Sequence, residues 1–445
     1  MDTVNNLSSW SQNSATAKLL MVGVLIVISL IPSLFVWVLL EERTNRQDEA
    51  RIDIASKWGS RQVIAGPILS LPYDKVFVDS QGVKHETSGV LNVLPQTLNH
   101  TATIDPEIRS RGIFEAVVYK TKIDVQGNFA IPDLRRVNVQ TSDIKWNKAY
   151  VSMSISDTRG IAEQVHLEWA GSAIPFEPGS RSTILGESGI HAFVPVDTLK
   201  KSFEFAYSLN LQGSEQLEFH PLGSETTVAM KSTWGSPSFT GAYLPTERTL
   251  DSGFSASWSV SSFGRSYPEQ WLDGEVEQQS LLNSRFGVSL LQGIDFYKKI
   301  DRTVKYAIIF IAITFLAFFL FEILAKLKIH PFQYLLVGFA LALFYLLLLS
   351  FSERVGFLPA YIISTLATIG LITSYCAKVL RANNKALVIA GLLFLLYSYL
   401  YVIVQLEDLA LLFGSMLLFV LLALTMYLTR NIDWYRGDVA EHRSR

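Results

Sequence analysis

The chain has 445 residues, of which 49% are hydrophobic and only 18% charged, with a mean hydropathy of +0.27 and a formal net charge of −2. That balance is too apolar for an ordinary soluble protein of this length and points to an integral membrane protein. The near-neutral charge, with no basic run interleaved with aromatics, argues against nucleic acid as a partner. The one cysteine, Cys376, rules out an internal disulfide framework.

Residues 1–18 form a polar N-terminus, and the first apolar run spans 19–40. It is about the 20 residues a helix needs to cross a roughly 30 Å hydrocarbon core. A cleaved signal peptide fits it poorly: the run exceeds the usual apolar region, only Lys18 precedes it, and Glu41-Glu42-Arg43 follows where a small-residue cleavage site would stand. It reads as an uncleaved anchor, with Pro32 inside as a defect that neighbouring helices or water can absorb. Glu41 to Trp58 lacks Gly and Pro, so the helix is expected to continue as a stalk that Gly59 ends.

From there the pattern turns to short alternating stretches. Val76-Phe77-Val78, a turn over Asp79-Ser80-Gln81-Gly82 and a return from Val83 read as a hairpin. Val117 to Val125 reads as a strand ending at Gln126-Gly127-Asn128, and Leu217 to Phe219 and Val228 to Trp234 as two more. Residues 41–303 are therefore expected to form a mainly antiparallel β domain of one or two sandwich-like layers, with its helical stalk at the N-terminal end. Pro175, Pro178 and Gly179 interrupt it near residue 180 without enough signal to divide it.

Residues 304–428 carry five apolar runs almost end to end, and 429–445 form a polar tail. The short loops between the runs alternate in charge. Lys326 and Lys328, then Lys378, Arg381 and Lys385, then Arg430 and Arg436 mark the cytoplasmic side. Ser352-Glu353-Arg354 and Gln405-Leu406-Glu407-Asp408 mark the other. Counting back puts residues 41–303 outside and both termini in the cytoplasm. Arg43, Arg46, Arg51, Lys298, Lys299, Arg302 and Lys305 oppose this assignment locally, but long domains cross largely regardless of charge. The expected fold is an α-helical polytopic membrane protein of six transmembrane helices, one plus five, with a large extracytoplasmic β domain inserted between the first two.

Motifs for chemistry are sparse. The histidines His85, His100, His166, His191, His220, His330 and His442 lack zinc-ligand spacing and read as isolated surface or turn residues. Gly186-Glu187-Ser188-Gly189 misses the nucleophile-elbow spacing by one place, and neither phosphate-binding glycine pattern occurs. Ser142-Asp143-Ile144-Lys145 matches S-x-x-K, but without the companion motifs of that chemistry. No catalytic, cofactor-binding or metal-binding residue is assigned, and no cofactor is implied.

In the membrane block, Glu322 lies near the cytoplasmic end of its span, one turn from Lys326, where pairing and anchoring are expected rather than proton relay. Ser364, Thr365, Thr368, Gly370, Thr373 and Ser374, flanked by Tyr361 and Tyr375, enrich one span. They fit either a lined path or close helix packing, as do Gly338 and Ala342 at small-xxx-small spacing. Trp37, Tyr334, Tyr427, Trp434 and Tyr435 sit near span ends, where interfacial aromatic belts form.

Asp301 to Glu322 (DRTVKYAIIFIAITFLAFFLFE), His330 to Phe357 and Leu428 to Tyr435 (LTRNIDWY) resemble the CreD family of bacterial inner-membrane proteins. Gly66 to Pro72 (GPILSLP), Asp157 to Gly160 (DTRG), Tyr243-Leu244-Pro245 and Asp251-Ser252-Gly253-Phe254 extend the likeness over nearly the whole chain. The resemblance implies a cell-envelope integrity protein of the inner membrane, in relatives typically controlled by a two-component system, and carries no catalytic residues. A non-enzymatic envelope stress-response factor acting through its periplasmic domain is expected, with the lipid bilayer and envelope proteins as partners. The alternative is a transport or lipid-handling component using the five-helix block.

Overall fold

The computed structural model describes residues 15–78, 84–182, 184–290, 296–324, 329–379, 383–406 and 409–430. By its internal contacts the chain forms two compact units, one of Met1–Arg46 with Ile294–Arg445 and one of Gln47–Gly293. A single helix, α1 (Ala15–Trp58), supplies residues to both and runs unbroken through Pro32 and the expected stalk. Gly59 ends it with φ +153°, its N–H donating to the Ala55 carbonyl at 2.9 Å, and a Cβ there would strike the Gln212 carbonyl. Only glycine fits that exit.

Alternating sequence produces the strands of the β unit. They are β1 (Gln62–Val78), β2 (Lys84–Val93), β3 (Thr97–Arg111), β4 (Phe114–Ala130), β5 (Tyr150–Ile155), β6 (His166–Trp169), β7 (Ser172–Pro175) and β8 (Glu177–Pro178). There follow β9 (Gly189–Phe193), β10 (Ser202–Ser214), β11 (Gln216–Phe219), β12 (Glu225–Ser232), β13 (Pro237–Gly241), β14 (Glu247–Thr249), β15 (Phe254–Ser261), β16 (Gln270–Leu272), a short helix α2 (Gln278–Leu282) and β17 (Phe286–Leu290). One nine-stranded sheet has the order β13-β17-β11-β1-β5-β9-β8, with β2 on β1 and β16 on β2. The second, eight-stranded, runs β14-β15-β12-β3-β4-β10-β6-β7. Among the described residues β1–β11 and β3–β12 are parallel and the other named pairings antiparallel.

The inward residues of both sheets share one core: Val151, Leu217, Phe219 and Phe286 come from the first, and Leu98, Ile123, Phe205 and Trp258 from the second. Ring contacts join the layers, Trp258 to Phe286 at 5.7 Å and His100 to Phe219 at 4.8 Å. Each large apolar side chain buried here contributes about 1.5–3 kcal/mol. This is a sandwich without a break near residue 180, since strands before and after that point enter both sheets.

The hairpin read from Val76 onward is β1–β2, with Val78 opposite Lys84; its turn lies outside the described residues. Two strand ends differ from expectation. β4 does not stop at Gln126-Gly127-Asn128 but continues to Ala130, because Gly127 sits between Leu98 and Phe205 where a Cβ would come within 2.8 Å of the Phe205 ring. The glycine permits close packing rather than a turn. The strand placed at Val228 to Trp234 runs instead over Glu225–Ser232, fixed by its register with β3 and β15.

The helical unit contains α3 (Phe296–Lys305), α4 (Ala307–Leu324), α5 (Pro331–Val355), α6 (Phe357–Val379), α7 (Asn383–Gln405) and α8 (Ala410–Thr429). Five helices, α1 and α5 to α8, are long and apolar enough to cross a membrane, and α3 with α4 makes a sixth only if that pair, bent by 44°, counts as one span. The six expected spans are therefore these five and, with the bent pair taken as one span, a sixth. The bend has a sequence cause: α3 is amphipathic, burying Tyr297, Ile300, Thr303 and Val304 while Lys298 and Lys305 stay exposed. Two of the lysines that oppose the expected topology locally have partners here. Lys299 donates to Gln405 Oε1 at 2.8 Å and sits 5.3 Å over the Phe357 ring, and Lys305 pairs with Asp301 at 2.5 Å.

α1 packs along a stripe of Val22, Leu25, Ser29, Ser33, Val36 and Leu40, recurring at three- and four-residue steps. A carboxylate holds it at each end. Glu322 of α4, 5% exposed, accepts from Lys18 Nζ at 2.8 Å and from the Tyr334 hydroxyl at 2.9 Å. Glu353 of α5 lies 3.6 Å from Arg43 Nε and accepts from the Tyr297 hydroxyl at 3.1 Å. Glu322 therefore takes its cation from Lys18, far away in sequence, and Lys326 lies outside the described residues. Tyr334, expected in an interfacial belt, is buried as the second donor to that carboxylate. Trp37 and Tyr427 are exposed, while Trp434 and Tyr435 lie outside the described residues.

On α6 the inward stripe is Tyr361, Ser364, Thr365, Thr368, Ile372 and Cys376, whereas Ser374 faces outward and donates to the Leu371 carbonyl at 2.9 Å. Tyr361 donates to the Tyr397 carbonyl at 2.7 Å, joining α6 to α7. A gap bordered by Phe318, Gln333, Tyr375 and Cys376 measures about 10 Å³, room for one water at most.

Close approach of α1 to α5 centres on Gly338, where a Cβ would run into the Ser29 side chain and the Phe315 ring, while Gly370 has open space. Gly338→Leu should lower the melting temperature of the detergent-solubilised full chain, with a cost of about 1–3 kcal/mol from overpacking. Gly370→Leu should leave melting unchanged; equal loss in both would remove the tight α1–α5 contact as the cause.

Candidate functional site

The S-x-x-K match does not form a catalytic pair. Ser142 is an exposed turn residue, not one turn along a helix from Lys145, and the Lys145 ammonium is engaged by Asp74. That ion pair, with the Ser88 hydroxyl, holds the Asp74 carboxyl below its ordinary range.

A different serine and histidine do share a face. In the antiparallel register Ser152 of β5 stands opposite His191 of β9, which stands opposite Glu177 of β8. Composition cannot show this, because strand neighbours are set by the fold. The polarity is wrong for nucleophilic catalysis. His191 Nδ1 lies 2.7 Å from the Gly179 carbonyl, its Nε2 lies 3.6 Å from Glu177 Oε2, and Ser152 Oγ is fully buried without a hydrogen-bond partner. A base for Ser152 would need a free Nε2 within hydrogen-bond reach of an accessible hydroxyl.

Of the other histidines, His85, His166 and His330 are exposed as expected, His442 lies outside the described residues, and two depart from the surface expectation. His100 and His220 are buried in the sandwich, while His330 caps α5, its Nδ1 accepting from the Phe332 N–H at 3.2 Å. Among the described residues no cluster of three or more His, Cys, Asp or Glu could hold a metal.

The DTRG segment is a structural clamp. Asp157 accepts from the Ser60 N–H at 3.0 Å and from Arg159 Nε at 2.9 Å and Nη2 at 2.8 Å. Arg159 Nη1 donates to the Ser56 carbonyl at 2.8 Å, satisfying an acceptor in the last turn of α1. The Arg159 hydrogen bonds, against the opposing effect of burial, hold the Asp157 carboxyl well below the usual carboxylate range. Trp58 adds an indole N–H to the Tyr119 carbonyl at 3.2 Å, with the Arg109 guanidinium 3.9 Å from its ring.

The surface best formed for binding is the outer face of the eight-stranded sheet. Alternation turns Asn99, Asp124, Gln126, Glu168, Glu204 and Ser208 outward from β3, β4, β6 and β10. The small side chains of Ala173 and Ala206, beside the Gly127 backbone, leave a trough of two adjoining parts, about 690 and about 630 Å³, that share Gln126, Glu168, Ala173 and Ala206. Both volumes lie in the range of ligand sites. The lining includes Asp124, Glu163, Glu168 and Glu204 and no Lys or Arg. Sequence reading missed this surface: the polar alternation was legible, but not which strands lie side by side.

Burial alone pushes the His100 imidazole down to about 3, and burial chiefly pushes His220 down to about 4. Both fold neutral, whereas an unfolded histidine takes a proton near pH 6.5, so their contribution is complete above that pH and declines as pH falls toward 4 and then 3. At pH 4.5 each should cost about 2.5 kcal/mol relative to pH 7.5. Neither ring nitrogen of His100 has a hydrogen-bond partner, so His100→Leu should melt no lower than the parent at pH 7.5 and lose less on acidification. Melting curves of the solubilised chain at the two pH values test this.

A family model described as inner membrane protein CreD matches residues 14–435. The inner membrane protein CreD of Escherichia coli (strain K12) is 33% identical over 417 residues, covering 92% of this chain and 91% of that protein. Agreement over that span takes in the helices and the β unit alike, and the chain belongs to the CreD family of multi-pass inner-membrane proteins.

Proposed function

We propose that the protein is a cell-envelope integrity factor that acts by binding rather than by catalysis, through the β unit held on the periplasmic side, with both termini in the cytoplasm. The observation that carries this reading is a contrast in free space. The trough on the β unit is open, polar and large enough for a ligand, whereas the gap beside α6 holds about 10 Å³. Loop charge supports the orientation: Lys378 and Lys385 flank the loop after α6, while Glu353 and Gln405 lie toward the opposite ends of α5 and α7.

In a strain lacking its own copy, a chain deleted for residues 62–290 should insert but fail to restore resistance to envelope stress. Full rescue by that chain would sink the reading. Reporter fusions should place Gly127 in the periplasm and Lys328 in the cytoplasm; both on one side would overturn the topology.

Transport or lipid handling by the helices is the second reading, favoured by the buried hydroxyls of Ser364, Thr365 and Thr373, which have no hydrogen-bond partner. Packing accounts for them as well, since small residues let helices approach closely. Replacing Thr365, Thr368 and Thr373 with valine keeps the volume and removes the hydroxyls. Unchanged rescue by a stably inserted triple variant is expected, and loss of rescue at normal protein levels would favour transport.

A further inference from the structure

We propose that the trough on the outer face of the eight-stranded sheet docks an extended, lysine- or arginine-rich segment of a partner protein. The inference rests on the reading of the β unit as the binding unit and names what that surface takes.

Charge selects the partner. Four carboxylates line the trough and no Lys or Arg does. Asp124 has a neighbour in Lys122 at 3.2 Å, and Glu163 accepts from Asn210, but among the described residues the Glu168 and Glu204 side chains make no hydrogen bond or ion pair. The register pairs Ala206 with Glu168, so Glu204, two residues before Ala206 on the same face, is the diagonal neighbour of Glu168. Diagonal neighbours lie about 7–8 Å apart, and like charges so placed repel. A cation between them relieves the repulsion; an anionic ligand would add to it.

Shape and chemistry select an extended chain. The floor is Gly127, Ala173 and Ala206, on which the aliphatic stem of a lysine or arginine can lie with its charge reaching the carboxylates. Gln126 borders both parts of the trough, and among the described residues its amide has no partner, leaving it available to a peptide N–H or carbonyl. Phe205 and Tyr207 line the trough only beneath its surface, because both side chains belong to the core. The face therefore offers no aromatic platform of the kind on which sugar rings stack, which favours a peptide over a glycan.

The test uses the full chain in neutral detergent, with fluorescent tetralysine as the probe and tetraglutamate and tetra-N-acetylglucosamine as competitors. Saturable tetralysine binding is expected, weakened at least 10-fold by Glu168→Gln with Glu204→Gln and strongly by raising salt. Removing the repulsion should leave melting unchanged or raised, so that lost binding is not lost folding. Glu247→Gln with Glu277→Gln, exposed carboxylates outside the trough, should bind as the parent does. Absence of tetralysine binding, equal binding by the trough variant, equal loss in the control pair, or displacement by the neutral sugar would each overturn the proposal. This failure is distinct from failure of the functional reading: a chain without residues 62–290 that still rescues cells sinks the latter, whatever tetralysine does.

Discussion

Asp157 is the point at which a 44-residue helix becomes part of a β-sandwich. A helix end leaves carbonyls without partners, and a strand beginning four residues later needs a fixed direction. One carboxylate serves both needs: it receives the Ser60 N–H just past the helix and orients Arg159, whose remaining nitrogen reaches the Ser56 carbonyl. Gly59 and Gly160 are required alongside because the Gln212 carbonyl approaches both. The last turn of the helix is therefore clamped to the sandwich.

The helical unit uses the same device. Each of two carboxylates, Glu322 and Glu353, is held by a cation from α1 and by a tyrosine hydroxyl. A carboxylate at a membrane boundary is tolerable when paired and hydrogen-bonded, and each pair costs little while aligning α1 with the bundle. Between them the contact of Ser29 with Gly338 sets how closely the helices approach. These features describe a helical unit in which α1 is held by packing and by clamps at the two ends of its buried stripe.

The β unit divides its labour between its two sides. Aromatic and aliphatic residues weld the sheets together, and buried polar groups there, such as His100 and Ser152, are without partners. Such groups are costly in place. The outward face of the eight-stranded sheet is the reverse, with exposed carboxylates and amides, of which Glu168, Glu204 and Gln126 make no side-chain hydrogen bond among the described residues. Binding at that surface needs no buried nucleophile, metal or proton path.

Much of this was legible in one dimension. Runs of about twenty apolar residues, loop charges and two-residue alternation depend on a segment's own surroundings, bilayer or half-buried sheet, so α1, the stalk, the later spans and the hairpin at Val76 could be read directly. What depended on distant partners could not. Lys18 with Glu322, Asp157 with Ser60, Ser152 opposite His191 and Glu168 beside Glu204 are juxtapositions made by sheet order and helix packing, and local sequence carries no record of them. Gly127 shows the limit within a single strand: its neighbours suggest a turn, but the close approach of Phe205 makes it part of a continuous strand, because steric room is a property of the packed fold.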